Sequence, residues 1–289
     1  MDKYLNSIEL SYSLGYILSG FIIFIIGKIA YKLLHPSIKI QQELVENDNF
    51  AFIISYVGFF AALTIVIGGA IVGESYGFIT DIKQIFIYGI GATFLLLLAG
   101  WIHNKVILHK FDLKKEIIVD KNEGSGVIEA AIFIANGFIL YGALIGESET
   151  LLQGITTFVV YWLIGNIVLI IASKIFISWM SYDIHDAIEK DNVAAGVSFA
   201  GAIIAIGIIT MNAIIDPFVD WTSTLANISI QTILGCILLP IMRVFADKIL
   251  LPGQKLTDEI VNQEKPNIGA GLIEAFAYIA SAILITWSI

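Results

Sequence analysis

The sequence predicts an all-α, polytopic membrane protein: eight transmembrane helices in four parallel two-helix repeats. Three observations predict it. Of 289 residues, 57% are hydrophobic and 14% charged, with a mean hydropathy of +0.86, whereas a soluble domain is roughly 45–50% apolar and about 25% charged. The apolar residues gather into stretches long enough to cross a bilayer, for which a helix needs about 20. A loop motif ending in Asn returns at nearly constant spacing. The same composition excludes a disordered chain, which is rich in charge. The single cysteine, Cys236, excludes a disulfide scaffold, and a net charge of −9 offers no basic footprint for nucleic acid.

The spans run over 11–34, 50–73, 84–108, 125–146, 151–178, 193–215, 222–246 and 268–289. Each must be helical, because hydrocarbon offers no partner to an unpaired backbone group. The first does not resemble a signal peptide: Asp2 and Glu9 stand where a basic lead would be, and no small-residue cleavage site closes it. The fifth is long enough to tilt. The seventh contains Pro240, which removes a backbone donor and predicts a kink.

Charge predicts the orientation. Fourteen of the 16 Lys and Arg residues fall in the connections after odd-numbered spans or at the adjoining helix ends; Lys3 and Lys83 fall on the other side. Basic residues are retained in the cytoplasm, so these loops are expected inside and both termini outside, in a bacterial cytoplasmic (inner) membrane. The outer side carries an acidic excess.

Four segments align: 43–52, 116–126, 186–196 and 259–271. Each is an acidic, amphipathic approach to an Asn that opens an even-numbered span. The residues are Asn49, Asn122, Asn192 and Asn267, separated by 73, 70 and 75. A second column, Lys32, Lys105, Lys174 and Arg243, marks the cytoplasmic ends of the odd spans and reads as a set of interfacial anchors. The repeats are therefore 1–80, 81–150, 151–220 and 221–289. Two crossings return the chain to its starting side, so all four copies share one sense and are related by an axis along the membrane normal.

The repeated Asn is suited to cap a helix start; a pivot or an anion-facing helix N-terminus is the alternative. The small residues behind it (Gly124 and Gly126; Ala194, Ala195 and Gly196; Gly269, Ala270 and Gly271) predict close helix–helix approach. In the first copy Phe52 and Ile53 replace them and predict a looser contact.

Seven residues after the Asn, about 10 Å along the helix, stand Tyr56, Glu129, Phe199 and Glu274. Acid alternates with aromatic, which pairs the repeats into two pseudo-symmetric halves. An intramembrane carboxylate is by default a functional candidate, here proton- or cation-responsive; a hydrated acid near a helix N-terminus is the bland alternative. Asn104, Asn136, Asn166 and Asn212 are expected to bond between helices. His35, His103 and His109 are expected at the interface, because their spacing fits no zinc pattern. Glu74, Glu147 and Asp216 form a candidate outer cation site if they converge. No cofactor motif or paired nucleophile and base presents itself, so no enzyme, cofactor or resident metal is expected.

The run acid-x-I-x-x-(D/N/K)-N-x-A-A-G, best seen at Asp186–Gly196 and Glu116–Gly126, resembles the YjfL-type bacterial inner-membrane proteins, a family of unknown function. The resemblance implies a helical fold in the cytoplasmic membrane and assigns no activity. The residues themselves suggest a protein that moves or senses a proton or small cation through Glu129 and Glu274. The alternative is a structural or docking protein whose charged loops recruit a cytoplasmic partner. Contact with the lipid bilayer is expected, and a homo-oligomer is open.

Overall fold

The computed structural model describes residues 7–73, 75–145, 150–216, 220–251 and 253–288, and every regular element among them is helical. In chain order these are α1 (Ser7–Leu34), a π-helical turn (Gln42–Glu46), α2 (Phe50–Val72), α3 (Phe78–Val106), the short α4 (Leu113–Ile118) and α5 (Glu123–Ile145). There follow α6 (Leu151–Trp179), the short α7 (Ile184–Glu189), α8 (Val193–Ile214), α9 (Trp221–Phe245), a second π-helical turn (Ala246–Leu250), the short α10 (Leu256–Val261) and α11 (Ile268–Ser288). Eight of them are long and apolar enough to cross a membrane. The 23 residues of α2, at 1.5 Å per residue, span about 35 Å, enough for a hydrocarbon core of about 30 Å.

Two helix starts differ by several residues from those read by hydropathy, the first span beginning at Ser7 rather than 11. The third span starts at Phe78 rather than 84, with Asp81 inside the helix. That carboxylate does not end the helix because Tyr16 Oη and Ser75 Oγ donate to its Oδ2, each at 2.7 Å, and the Tyr76 amide donates to its Oδ1 at 2.9 Å. The seventh span continues helically through Pro240 and changes hydrogen-bond pattern only at Ala246, where the π turn begins.

The second helices of the repeats, α2, α5, α8 and α11, stand side by side in one row, and α1, α3, α6 and α9 form a second row against it. Within the first row the contacts climb in step: Gly126 meets Ala51, Gly58 meets Ala130, and Gly137 meets Ala62. Two helices touch in that order only when they run parallel. Gly196 on Gly124 and Gly207 on Ala135 repeat the pattern between α5 and α8, as Gly271 on Ala194 and Gly201 on Ala275 do between α8 and α11. A Cβ on Gly207 would lie 2.7 Å from the Ala135 Cα, so the backbones are in contact. Such approach needs small side chains, since lipid supplies no hydrophobic drive between helices.

The row also corrects one expectation. The first copy has no glycine four residues after its Asn, yet α2 packs closely on α5. The glycine at that position (Gly126, Gly196, Gly271) faces the preceding repeat. In copy one that position is Ile53, which is only half-buried and receives no repeat helix among the described residues. Eight residues after the Asn the same holds: Ala130, Ala200 and Ala275 in later copies, Val57 in the first. At the far end Phe276 stands where Gly58 and Gly201 receive the next helix. Burial follows position in the row: 83% of the apolar stretch of α8 is buried against 50% for that of α11 at the row's end.

Candidate functional site

Each repeat Asn does two things. Its Oδ1 caps the helix behind it, accepting from the amides of Phe52, Ser125, Ala195 and Ala270 in the four copies. In the first three copies its Nδ2 also reaches the next repeat, donating to the carbonyls of Ile117 (2.9 Å), Ile188 (2.6 Å) and Ile260 (2.8 Å). The Asn therefore staples consecutive repeats together, which the capping rule alone does not anticipate. Asn49, Asn122 and Asn192 are buried; Asn267, with no following repeat, is exposed and donates to its own Glu259.

The loop geometry explains the acid of the motif. Glu43 and Glu116, six residues before their Asn, accept from its Nδ2 at 2.8 and 3.1 Å. Burial pushes the Glu116 carboxyl above its ordinary value, with the Asn122 hydrogen bond pulling the other way. Asp186 replaces Glu in the third copy, one methylene shorter, and no hydrogen bond joins it to Asn192. The residues just before the first three Asn, namely Asp48, Lys121 and Asp191, adopt left-handed φ of 44°, 53° and 58°. Pro266 holds that position in the fourth copy and cannot do so; there the acid stands eight residues ahead rather than six.

The two intramembrane carboxylates occupy the same register but different surroundings. Glu129 on α5 is half-buried at the seam with α2 and α3. Ser55 Oγ donates to its Oε2, and Asn104 Nδ2 donates to its Oε1 at 3.2 Å. Glu274 on α11 is fully buried. Arg243 Nε and Tyr278 Oη both donate to its Oε1 at 2.6 Å, and a second Arg243 nitrogen donates to Thr257 Oγ1 at 3.0 Å. Its Oε2 has no hydrogen-bond partner. Thus Glu129 is held by neutral donors and Glu274 by a cation.

Arg243 is accordingly not an interfacial anchor like the other members of its column. Lys32, Lys105 and Lys174 are exposed, whereas Arg243 turns inward because an uncompensated carboxylate lies within its reach. A cavity of about 280 Å³ opens beside it, with Tyr278, Thr257, Lys255 and Asp247 among its walls.

The sequence reading missed a serine. Ser55 and Ser198 both stand six residues after their Asn, and Ile128 and Ile273 fill that place in the other copies. Serine therefore alternates with isoleucine one position ahead of the alternation of aromatic with acid, a signal legible without a structure. Ser55 serves Glu129; Ser198 is fully buried beside the Tyr182 hydroxyl.

Other expected residues sort as follows. Asn166 and Asn212 bond across helices, to His103 Nε2 (2.7 Å) and Gln231 Oε1 (3.0 Å), and Asn104 does so to Glu129. Asn136 instead donates to Ile132 in its own helix. His103 is fully buried rather than interfacial, because Asn166 supplies its partner inside the bundle. Of the candidate outer cation site, Glu74 and Glu147 lie outside the described residues, and Asp216 is exposed. No three His, Cys, Asp or Glu side chains converge on a metal position among the described residues.

A profile described as Domain of Unknown Function (DUF350) matches residues 5–144 and again 150–289. The chain belongs to the DUF350 family. Each DUF350 copy holds two of the two-helix repeats, so the family unit is the double repeat that the acid–aromatic alternation marks out. Glu129 and Glu274 lie at the same offset in their copies (129 − 5 = 124 and 274 − 150 = 124). The chain is also similar to a UPF0719 transmembrane protein of Aquifex aeolicus (strain VF5), 25% identical over 273 residues, which are 92% of this chain and 98% of that one. No solved structure matches. An uncharacterised transmembrane family is thus shown, though not under the YjfL name.

Proposed function

We propose that this DUF350 protein moves or senses a proton or small cation across the bacterial inner membrane, with Glu129 as the responsive group. One observation carries the reading: Glu129 is held by the Ser55 hydroxyl and the Asn104 amide, with no cation among its hydrogen-bond partners. A carboxylate in that setting can accept a proton or meet a small cation, since neither has to displace a fixed positive charge. Glu274 is the compensated counterpart, already occupied by Arg243. The reading places the lysine-rich loops in the cytoplasm and both termini outside, as basic loops favour. It keeps the kinship to YjfL-type chains that the motif suggests, and it assigns no catalytic step.

Purified protein in liposomes with a trapped pH dye, under an imposed proton or cation gradient, tests it. Flux above that of empty liposomes is expected for the wild type, lost in Glu129→Gln and reduced in Ser55→Ala. If transport is absent but intrinsic fluorescence changes with pH in wild type and not in Glu129→Gln, the sensing form holds. Equal flux and equal pH response in wild type and Glu129→Gln overturn both.

A docking role draws less support. The amphipathic loop helices that motivate it bury their apolar residues inside the chain: Leu113 and Ile117 on α4, Ile184 and Ile188 on α7, Leu256 and Ile260 on α10.

A further inference from the structure

Every repeat after the first lays its loop helix against the repeat before it, through the Asn staple and through ties such as Lys110 to Asp183 and Lys114 to Ser37. Against the first of the four copies no such loop helix lies among the described residues, and the place it would fill is open. There α1, the π turn and α2 line an open trough of about 1060 Å³, just above the roughly 300–1,000 Å³ typical of small-molecule pockets. Its lower wall is apolar and includes Phe21, Phe24 and Phe60; Lys28, Lys32 and Lys39 stand at its lysine-rich end.

Lys28 and Lys32 are one helical turn apart on α1 and therefore share a face. No acid lines the trough, and none of the three lysines is in an ion pair with an acid among the described residues. Val45 on the rim is 69% exposed, whereas Ile188, at the corresponding position before Asn192, is fully buried. An apolar slot that ends in three uncompensated cations at the depth of a membrane interface matches one neighbour already present in a bilayer.

We propose that this trough binds an anionic phospholipid of the leaflet on the lysine-rich side, its phosphate between Lys28, Lys32 and Lys39 and one acyl chain along Phe21, Phe24 and Phe60. Lysines beside a membrane attract anionic headgroups additively, and long basic side chains reach the headgroup level while their stems cover apolar surface. The trough lies beside the first repeat, bounded by α1, the π turn and α2, and one phospholipid would fill it.

Native mass spectrometry of the full chain tests the proposal, after extraction from vesicles of three parts phosphatidylcholine to one part phosphatidylglycerol, beside pure phosphatidylcholine vesicles. One retained phosphatidylglycerol per chain is expected for the wild type. Affinity should fall about five-fold per lysine removed, so Lys28→Gln/Lys32→Gln/Lys39→Gln together should lose the lipid. A control triple at equally exposed cations, Lys105→Gln/Lys174→Gln/Lys190→Gln, should keep it. Val45→Trp, which narrows the trough without changing charge, should weaken retention even if the triple variant folds poorly. Equal retention in the trough triple and wild type, equal loss in the control triple, or displacement by millimolar inorganic phosphate with no effect of Val45→Trp would overturn the proposal.

Discussion

Asn122→Ala measures how strongly one side chain joins two repeats. Asn122 is buried between repeats two and three, and truncation removes three interactions at once. Loss of the cap on Ser125 costs about 1 kcal/mol. The Glu116 carboxylate loses a donor in a buried place, and a buried group so stranded costs about 1–3 kcal/mol, whereas the Ile188 carbonyl, which also loses the Asn122 amide, keeps the Asp191 amide as a donor. The total is about 2–4 kcal/mol. Asn267→Ala removes an equivalent cap at the exposed end of the row, where no following repeat receives the amide, and should cost about 1 kcal/mol or less. Reversible unfolding in mixed micelles against increasing SDS mole fraction reads both. If the two variants agree within about 0.5 kcal/mol, the staple contributes nothing and the Asn is only a cap. Asn122→Asp sharpens the test, because it keeps the capping oxygen while placing an anion against Glu116 and Ile188; it should be at least as destabilising as Ala.

Other outcomes follow from the same geometry. Gly196→Ala places a Cβ 2.6 Å from the Gly124 Cα and should destabilise by about 1–3 kcal/mol through overpacking, whereas Gly68→Ala meets nothing within 4 Å and should be neutral or slightly stabilising in the same assay. Arg243→Met leaves Glu274 buried without its cation and should cost about 3–5 kcal/mol; the double variant Arg243→Met/Glu274→Met should recover most of that, and failure to recover would count against a direct pair. Asp183 is held at about 2 by the Lys110 hydrogen bond, below the roughly 3.9 of an unfolded Asp. A depressed acid contributes stability that is fully present above about pH 4 and is lost as the pH falls through about 2. Since the two side chains are 43% and 42% exposed, the change is at most about 1 kcal/mol, and Asp183→Asn should flatten the thermal midpoint across that window.

Much of the architecture is legible along the chain because bilayer thickness imposes span length and because the repeat is written in small residues. The glycine four residues after the Asn, absent only from copy one, and the small residue nine after it, replaced by Phe276 only in copy four, already say that the copies form an open row with distinct ends. The spacing also carries the pairing of repeats into halves, through Ser55 and Ser198 beside Glu129 and Glu274. Hydropathy misplaced the start of α3, since a window average penalises Asp81 without seeing that Tyr16, from another helix, satisfies it.

The number of spans, their common sense and the order of the row rest on periodicities within one strand of sequence: about 20 apolar residues per crossing, about 70 per copy. Those rules act locally or by strict repetition, so they survive without coordinates. The environment of each carboxylate does not. Glu129 and Glu274 are interchangeable in register, and only packing decides that one meets Ser55 and Asn104 while the other captures Arg243 from α9, 31 residues away. Side-chain reach between helices depends on the angle and depth at which their backbones meet, and that is a property of the assembled bundle.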